Sequence, residues 1–315
     1  VTNVTDSNMK YQHSHVMCSI YPGAKAAAMC LPTGRGLLPI VAMAMLVGCS
    51  TVTPEAVRME SQTARTVQLM RIANVTRQGG DLPTAATMFE RASRLSPDSA
   101  APLLELAETL HTLAEYDQAA VAFQKAIKIA PDNALAHLGY GRTLLAMGHS
   151  TLAQAEFEIA VAADPSLSGA HNGLGLARVA SGAFDGALAA FDAGLSVAPD
   201  DSGLQTNRAL CLALAGRFDE ASAVLTNLAA VPGATARQRQ NAALVYGLMG
   251  KRDQAARWAR ADLPAQSVAH NLNIYDELRT MAPDERARRV LGLSQSALPA
   301  LAPANSTPAA VDNAL

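Results

Sequence analysis

From Leu103 onward the apolar positions fall in a helical rhythm. Leu103, Leu106, Ala107 and Leu110 are spaced three, one and three apart, the stripe expected of a helix with 3.6 residues per turn. The stripe breaks at Glu115-Tyr116-Asp117, which predicts a turn, and resumes as Ala119, Ala120, Phe123, Ala126 and Ile127, a second helix. Pro131 ends that helix, because proline lacks an amide donor and disfavours the helical conformation in the residue before it.

The two-helix pattern returns. Pro97, Pro131, Pro165 and Pro199 are 34 residues apart, and each is followed by Asp or Ser. Phe89, Phe123, Phe157 and Phe191 lie eight positions upstream of them; Ala85, Ala119, Ala153 and Ala187 lie twelve upstream; Gly80, Ala114, Gly148 and Gly182 lie seventeen upstream. The alanine marks the closest crossing of the two helices, and the phenylalanine fills the space where the next unit docks. The small residue permits a tight reversal. A fixed period of this length means stacked helix pairs rather than one globular core.

Gly216, Ala221 and Leu225 keep the register, with Pro232 one residue early; Gly250 and Ala255 keep it again, with Ala259 in place of the phenylalanine. Six units result: 66–99, 100–133, 134–167, 168–201, 202–235 and 236–269, the last two eroded. Residues 271–293, from Asn271-Leu-Asn-Ile-Tyr275 to Leu293, read as one or two further helices that cap the last unit (270–293 with its linker). Beyond them Ala, Pro, Ser, Thr and Asn dominate, with Asp312 the one charge, so 294–315 is expected to be a disordered tail.

At its small, Gly, Ala, Phe and Pro positions the unit resembles the tetratricopeptide repeat. The first-helix Trp of that family is replaced here by Leu69, Leu103, His137 and His171. The resemblance implies an all-α, right-handed α-solenoid of about six repeats with a C-terminal capping helix. It also implies a concave groove lined by the first helix of each repeat. The groove positions read Asn74, Arg77, Glu108, His111 and Arg142 at one end. Leu138, Leu145, Asn172, Leu176, Val179, Leu210, Leu214, Leu244 and Leu248 continue it. A polar mouth leading into an apolar trough is the expectation, the alternative being that the tightly curved stack or the C-terminal cap buries that stripe. Contiguous exposed apolar surface marks an interaction site that accepts a helix or an extended peptide. The Lys/Asn clamp with which some family members grip carboxylates is missing, since Met70 and Glu105 stand in its place.

The front of the chain follows a different logic. Residues 1–28 match neither a repeat nor a sorting signal, and the chain begins with Val1, so Met29 is the expected start and 1–28 an extension without function. Arg35 precedes an apolar run, Leu37-Leu-Pro-Ile-Val-Ala-Met-Ala-Met-Leu-Val47, then Gly48-Cys49-Ser50. A run this short does not span a bilayer, which takes about 20 residues, but it suits a secretory signal at 29–48. Leu46-Val47-Gly48-Cys49 resembles the lipobox of bacterial lipoproteins, which implies diacylation of Cys49 and its exposure as the mature N-terminus. Ser50, not Asp, follows, which implies the outer membrane. Residues 49–65 then read as the lipidated Cys and a tether. Of the cysteines at 18, 30, 49 and 211, only Cys211 would remain free, so no disulfide framework is expected.

Composition narrows the chemistry further. Net charge is −2 and 4% of residues are aromatic, with no basic stripe, which argues against nucleic acid. His137 and His171 occupy equivalent positions in adjacent repeats, but no Cys or acid joins them in register, so packing rather than metal binding is expected. There is no nucleophile elbow, phosphate loop or zinc-protease motif. No enzyme activity, cofactor or small-molecule substrate is therefore expected. A lipobox before six repeats, with the 271–293 segment after them, is similar to the TadD-type tetratricopeptide-repeat lipoproteins of the tight-adherence (Flp) pilus. That resemblance implies a scaffold at the inner leaflet of the outer membrane, facing the periplasm, that assists secretin assembly or localisation. The alternatives are a type IV pilotin, another envelope-assembly lipoprotein of polysaccharide export or cell-wall synthesis, or the docking subunit of a periplasmic enzyme.

Overall fold

The computed structural model describes residues 54–292, with side chains from residue 62. Among them the chain forms helices α1 (Pro54–Gln78), α2 (Leu82–Leu95), α3 (Ala100–Thr112), α4 (Tyr116–Ile129), α5 (Ala134–Ala146), α6 (Ser150–Ala163), α7 (Ser168–Ala180) and α8 (Phe184–Val197). Then follow α9 (Ser202–Leu214), α10 (Phe218–Ala230), α11 (Ala236–Leu248), α12 (Arg252–Ala259), α13 (Ala265–Thr280) and α14 (Pro283–Val290). No strand occurs among the described residues. Each helix packs on the next in sequence from α1 to α12, and from α3 to α11 successive odd-numbered helices also touch one another. Contact on the odd-numbered side curves the stack that way, which makes an all-α solenoid with the odd helices on its inner face.

Local chemistry sets the boundaries. Asn133 Oδ1 accepts from the Ala136 amide at 3.0 Å to cap α5, and Asp201 Oδ1 caps α9 through the Gly203 and Leu204 amides. The reversal inside a repeat is a left-handed turn: the Gly148 amide donates to Leu145 O and the His149 amide to Leu144 O, closing α5 with Gly148 at φ 81°. Ala114 holds the same conformation at φ 60° without glycine's freedom.

The four repeat alanines and four repeat phenylalanines have no exposed surface. The phenylalanines key into neighbouring backbones. The Phe157 ring leaves no room for a Cβ at Gly141 of α5 or Gly173 of α7; Phe123 does the same at Gly139, and Phe191 at Gly175.

The ends depart from the simple period. Helix α1 already covers residues 54–65, the segment read as tether, while Cys49 and the lipobox, the extension 1–28 and the tail from 294 lie outside the described residues. Helix α12 is short, and Pro264 opens α13 inside the stretch assigned to the sixth repeat. Helix α13 packs on α11 and α12, with Tyr275 over Gly247, and so extends the inner layer by one helix. Helix α14 does not stay at the end of the stack. It returns to lie against α7 and α9.

Candidate protein-interaction groove

The polar residues of the inner face form a ladder between odd helices. Arg77 Nη2 donates to Asn74 Oδ1 at 2.7 Å, and Arg77 Nη1 meets Glu105 Oε2 across to α3 at 2.7 Å. From α3, Glu108 Oε2 lies 3.5 Å from Arg142 Nη1 of α5, and His111 Nδ1 is 3.0 Å from Thr143 Oγ1. Further along, Asn207 Nδ2 of α9 donates to Asn172 Oδ1 of α7 at 2.9 Å. Of the residues named from the register, Asn74 and Arg77 thus meet each other and Glu105, Glu108 meets Arg142, His111 meets Thr143 and, separately, Asn172 meets Asn207. The opposite charge of Glu105 was the available signal for its pairing with Arg77.

The ladder is half open. The Arg77 and Glu105 side chains are 31% and 35% exposed, those of Arg142 and Glu108 24% and 38%. Ion pairs this accessible are worth about 0–1 kcal/mol each, so a partner can replace one member at little cost. Arg142 Nε is buried without a hydrogen-bond acceptor.

The apolar half differs from the expectation. Leu145 has no exposed surface; Leu176, Val179, Leu214, Leu244 and Leu248 are also buried, and only Leu138 and Leu210 are half-buried. Two causes fill the trough. The odd helices pack directly on one another, so side chains at these positions are core. Helix α14 then lies over α7 and α9, and its Ala287, Val290 and Leu291 join the same packed cluster as Leu176, Val179 and Leu210. Replacing Leu145 and Leu176 by Ser would damage the core rather than probe binding.

The two repeat histidines have a structural use. His137 Nε2 is 2.8 Å from Pro131 O and its Nδ1 2.7 Å from Glu156 Oε2; His171 Nε2 is 2.9 Å from Pro165 O. Gln205 Nε2 donates to Pro199 O in the next repeat at 2.8 Å. In these three repeats one side chain therefore satisfies the carbonyl of the proline behind it. No group of three or more His, Cys, Asp or Glu side chains among the described residues could hold a metal ion. Cys211 is buried, its Sγ 3.6 Å from Phe184 O, and burial together with Asp185 pushes its thiol up to about 12. That thiol stays protonated and unreactive.

Models of the tetratricopeptide repeat match residues 70–134, 110–174 and 178–251. The chain belongs to the tetratricopeptide-repeat family. No curated protein matches it. Several solved structures share its fold. PilW, described as a widely conserved type IV pilus biogenesis factor, superposes with a TM-score of 0.56 at 22% identity, over 61% of this chain and 90% of its own. The structure from the functional characterization of Pseudomonas aeruginosa pilF gives 0.53 at 20%, over 63% and 90%. A tetratricopeptide repeat protein from Parabacteroides merdae gives 0.59 at 17%, over 73% and 91%. At these identities the likeness is one of fold. This tetratricopeptide-repeat protein shares with them the helix-pair stack, and its inner face is the surface such a stack offers to other proteins.

Proposed function

We propose that this protein is a non-catalytic scaffold of pilus biogenesis, held by lipid on Cys49 at the inner leaflet of the outer membrane, which helps the Flp (Tad) machinery assemble or place its secretin. The observation that carries the reading is the half-open charged ladder of α1, α3 and α5 in a tetratricopeptide stack; the resemblance of Leu46–Cys49 to a lipobox supports the anchoring. Arg77, Glu105, Glu108 and Arg142 present paired charges beside half-buried Leu138, a surface suited to a polar protein segment with an apolar anchor. The partner is a protein; neither nucleic acid nor a small-molecule substrate is required.

Charge reversal tests the ladder rather than the buried leucines, with thermal stability measured alongside because Arg77 lies over the Phe89 ring and Arg142 Nε is buried. Arg77→Glu with Arg142→Glu should abolish co-purification with the secretin and reduce its multimers, while helical content stays at the wild-type level. Cys49→Ala should leave the chain unlipidated and out of the membrane fraction by mass spectrometry. Normal secretin multimers and pili in a folded double mutant would show that the ladder is not the working surface. A second reading, a factor of type IV rather than Flp pili, is favoured by the fold shared with PilW. It predicts loss of type IV pili instead.

A further inference from the structure

The α7–α9 part of the inner face already holds a helix, and that helix belongs to the chain itself. Helix α14 crosses back from the end of the stack to reach it. Its buried edge is Ala287, with Val290 and Leu291 at the third and fourth positions on, the spacing that puts three residues on one helical face. The small central residue allows close approach: Ala287 has no exposed surface. Its first turn abuts the α7–α8 turn, where Asp284 Cβ lies 3.2 Å from the position a Cβ would take on Gly182. Beside this edge Arg288 Nη2 donates to Asp284 Oδ2 at 3.0 Å.

The attachment is slight for a core element. Helix α14 spans eight residues, of which Ala287 alone is fully buried. A helix this short is not stable by itself in water. A hinge adds to the hold: Arg286 Nε donates to Leu278 O at 2.8 Å and Nη2 to Met281 O at 3.0 Å, pinning α14 to the end of α13.

We propose that the α7–α9 face is a helix-binding groove, that α14 is its resting occupant, and that the partner segment is an amphipathic helix bearing the same stripe, a small residue followed three and four positions on by aliphatic ones. The occupant keeps apolar surface covered until such a helix displaces it. This rests on the scaffold role of the repeat stack and not on the identity of the pilus partner. The test uses the chain's own sequence as probe, so failure of the secretin experiment leaves it standing.

The full chain, with Ala287→Arg or with Arg286→Ala, is compared with wild type by hydrogen exchange and by anisotropy of a labelled peptide of residues 281–292. Release of α14 should speed its amide exchange at least tenfold in either variant while α3–α6 keep wild-type protection. The peptide should then bind both variants at micromolar concentration and wild type at least tenfold more weakly, and a peptide carrying Ala287→Arg should bind neither. Should the arginine variant fail to fold, Arg286→Ala decides alone, since it loses only the hinge bonds. The proposal is overturned if α14 exchanges only with global unfolding, if a released variant does not take up the peptide, or if wild type binds the peptide as tightly as the variants.

Discussion

Phe157 shows how little of this protein's core belongs to any one repeat. Its ring is shared between Gly141 of α5 and Gly173 of α7, and it has no exposed surface. Phe157→Ala should cost about 3–5 kcal/mol, read as a lower denaturant midpoint. Gly173→Ala should also destabilise, by about 1–3 kcal/mol, because its Cβ would sit 2.3 Å from the Phe157 ring. A glycine-to-alanine change in an open helix would do the opposite. If Gly173→Ala is neutral or stabilising in chemical denaturation, the ring is not keyed as described. The phenylalanines were legible from their period. Their glycine partners were not: glycine inside a helix reads as a weakness, and Gly139, Gly141, Gly173 and Gly175 recur in only two repeats.

Single elements were legible wherever a residue carries the boundary signal itself. Proline ends the second helix of a repeat, and the left-handed slot at 80, 114, 148, 182, 216 and 250 reverses the chain. Ala114 fills that slot at φ 60°, where a Cβ is penalised by about 1–2 kcal/mol. Ala114→Gly should therefore stabilise by about 0.5–1 kcal/mol after the entropy glycine adds to the unfolded chain. Unchanged or reduced stability in equilibrium unfolding would mean that the turn tolerates alanine. Depth of burial was not legible. The register correctly put Leu145 and Leu176 on odd helices, but how closely those helices approach is a tertiary property, and no local signal announced that α14 would double back.

Across the whole molecule, a stack transmits stability from neighbour to neighbour, so its ends can loosen separately. At the C-terminal end Arg239 of α11 forks onto Asp262, just before α13, with a 2.9 Å bond from Nε and a second from Nη2; Gln240 adds a third donor. The Arg239 hydrogen bond holds the Asp262 carboxyl below its ordinary range. A depressed folded value means the contribution is fully present above the unfolded value of about 3.9 and is lost as pH falls from there through the folded value. Below pH about 4, amides of α11–α13 should lose protection before those of α5–α8, and Asp262→Asn should lower their protection at neutral pH and remove the pH dependence of that loss in rate-corrected hydrogen exchange. Simultaneous loss along the chain would contradict the ion pair's role. The phenylalanine keys have one more consequence, for how such a chain can be edited. Phe123 stands as far before Gly139 as Phe157 does before Gly173. Excising residues 134–167 would bring Phe123 to Gly173 at that same interval, with both mating surfaces intact. A cut that is not a whole number of repeats would leave a ring out of register with its partner. The molecule therefore has a reading frame in space, of one repeat, within which its groove can grow or shrink while the fold persists.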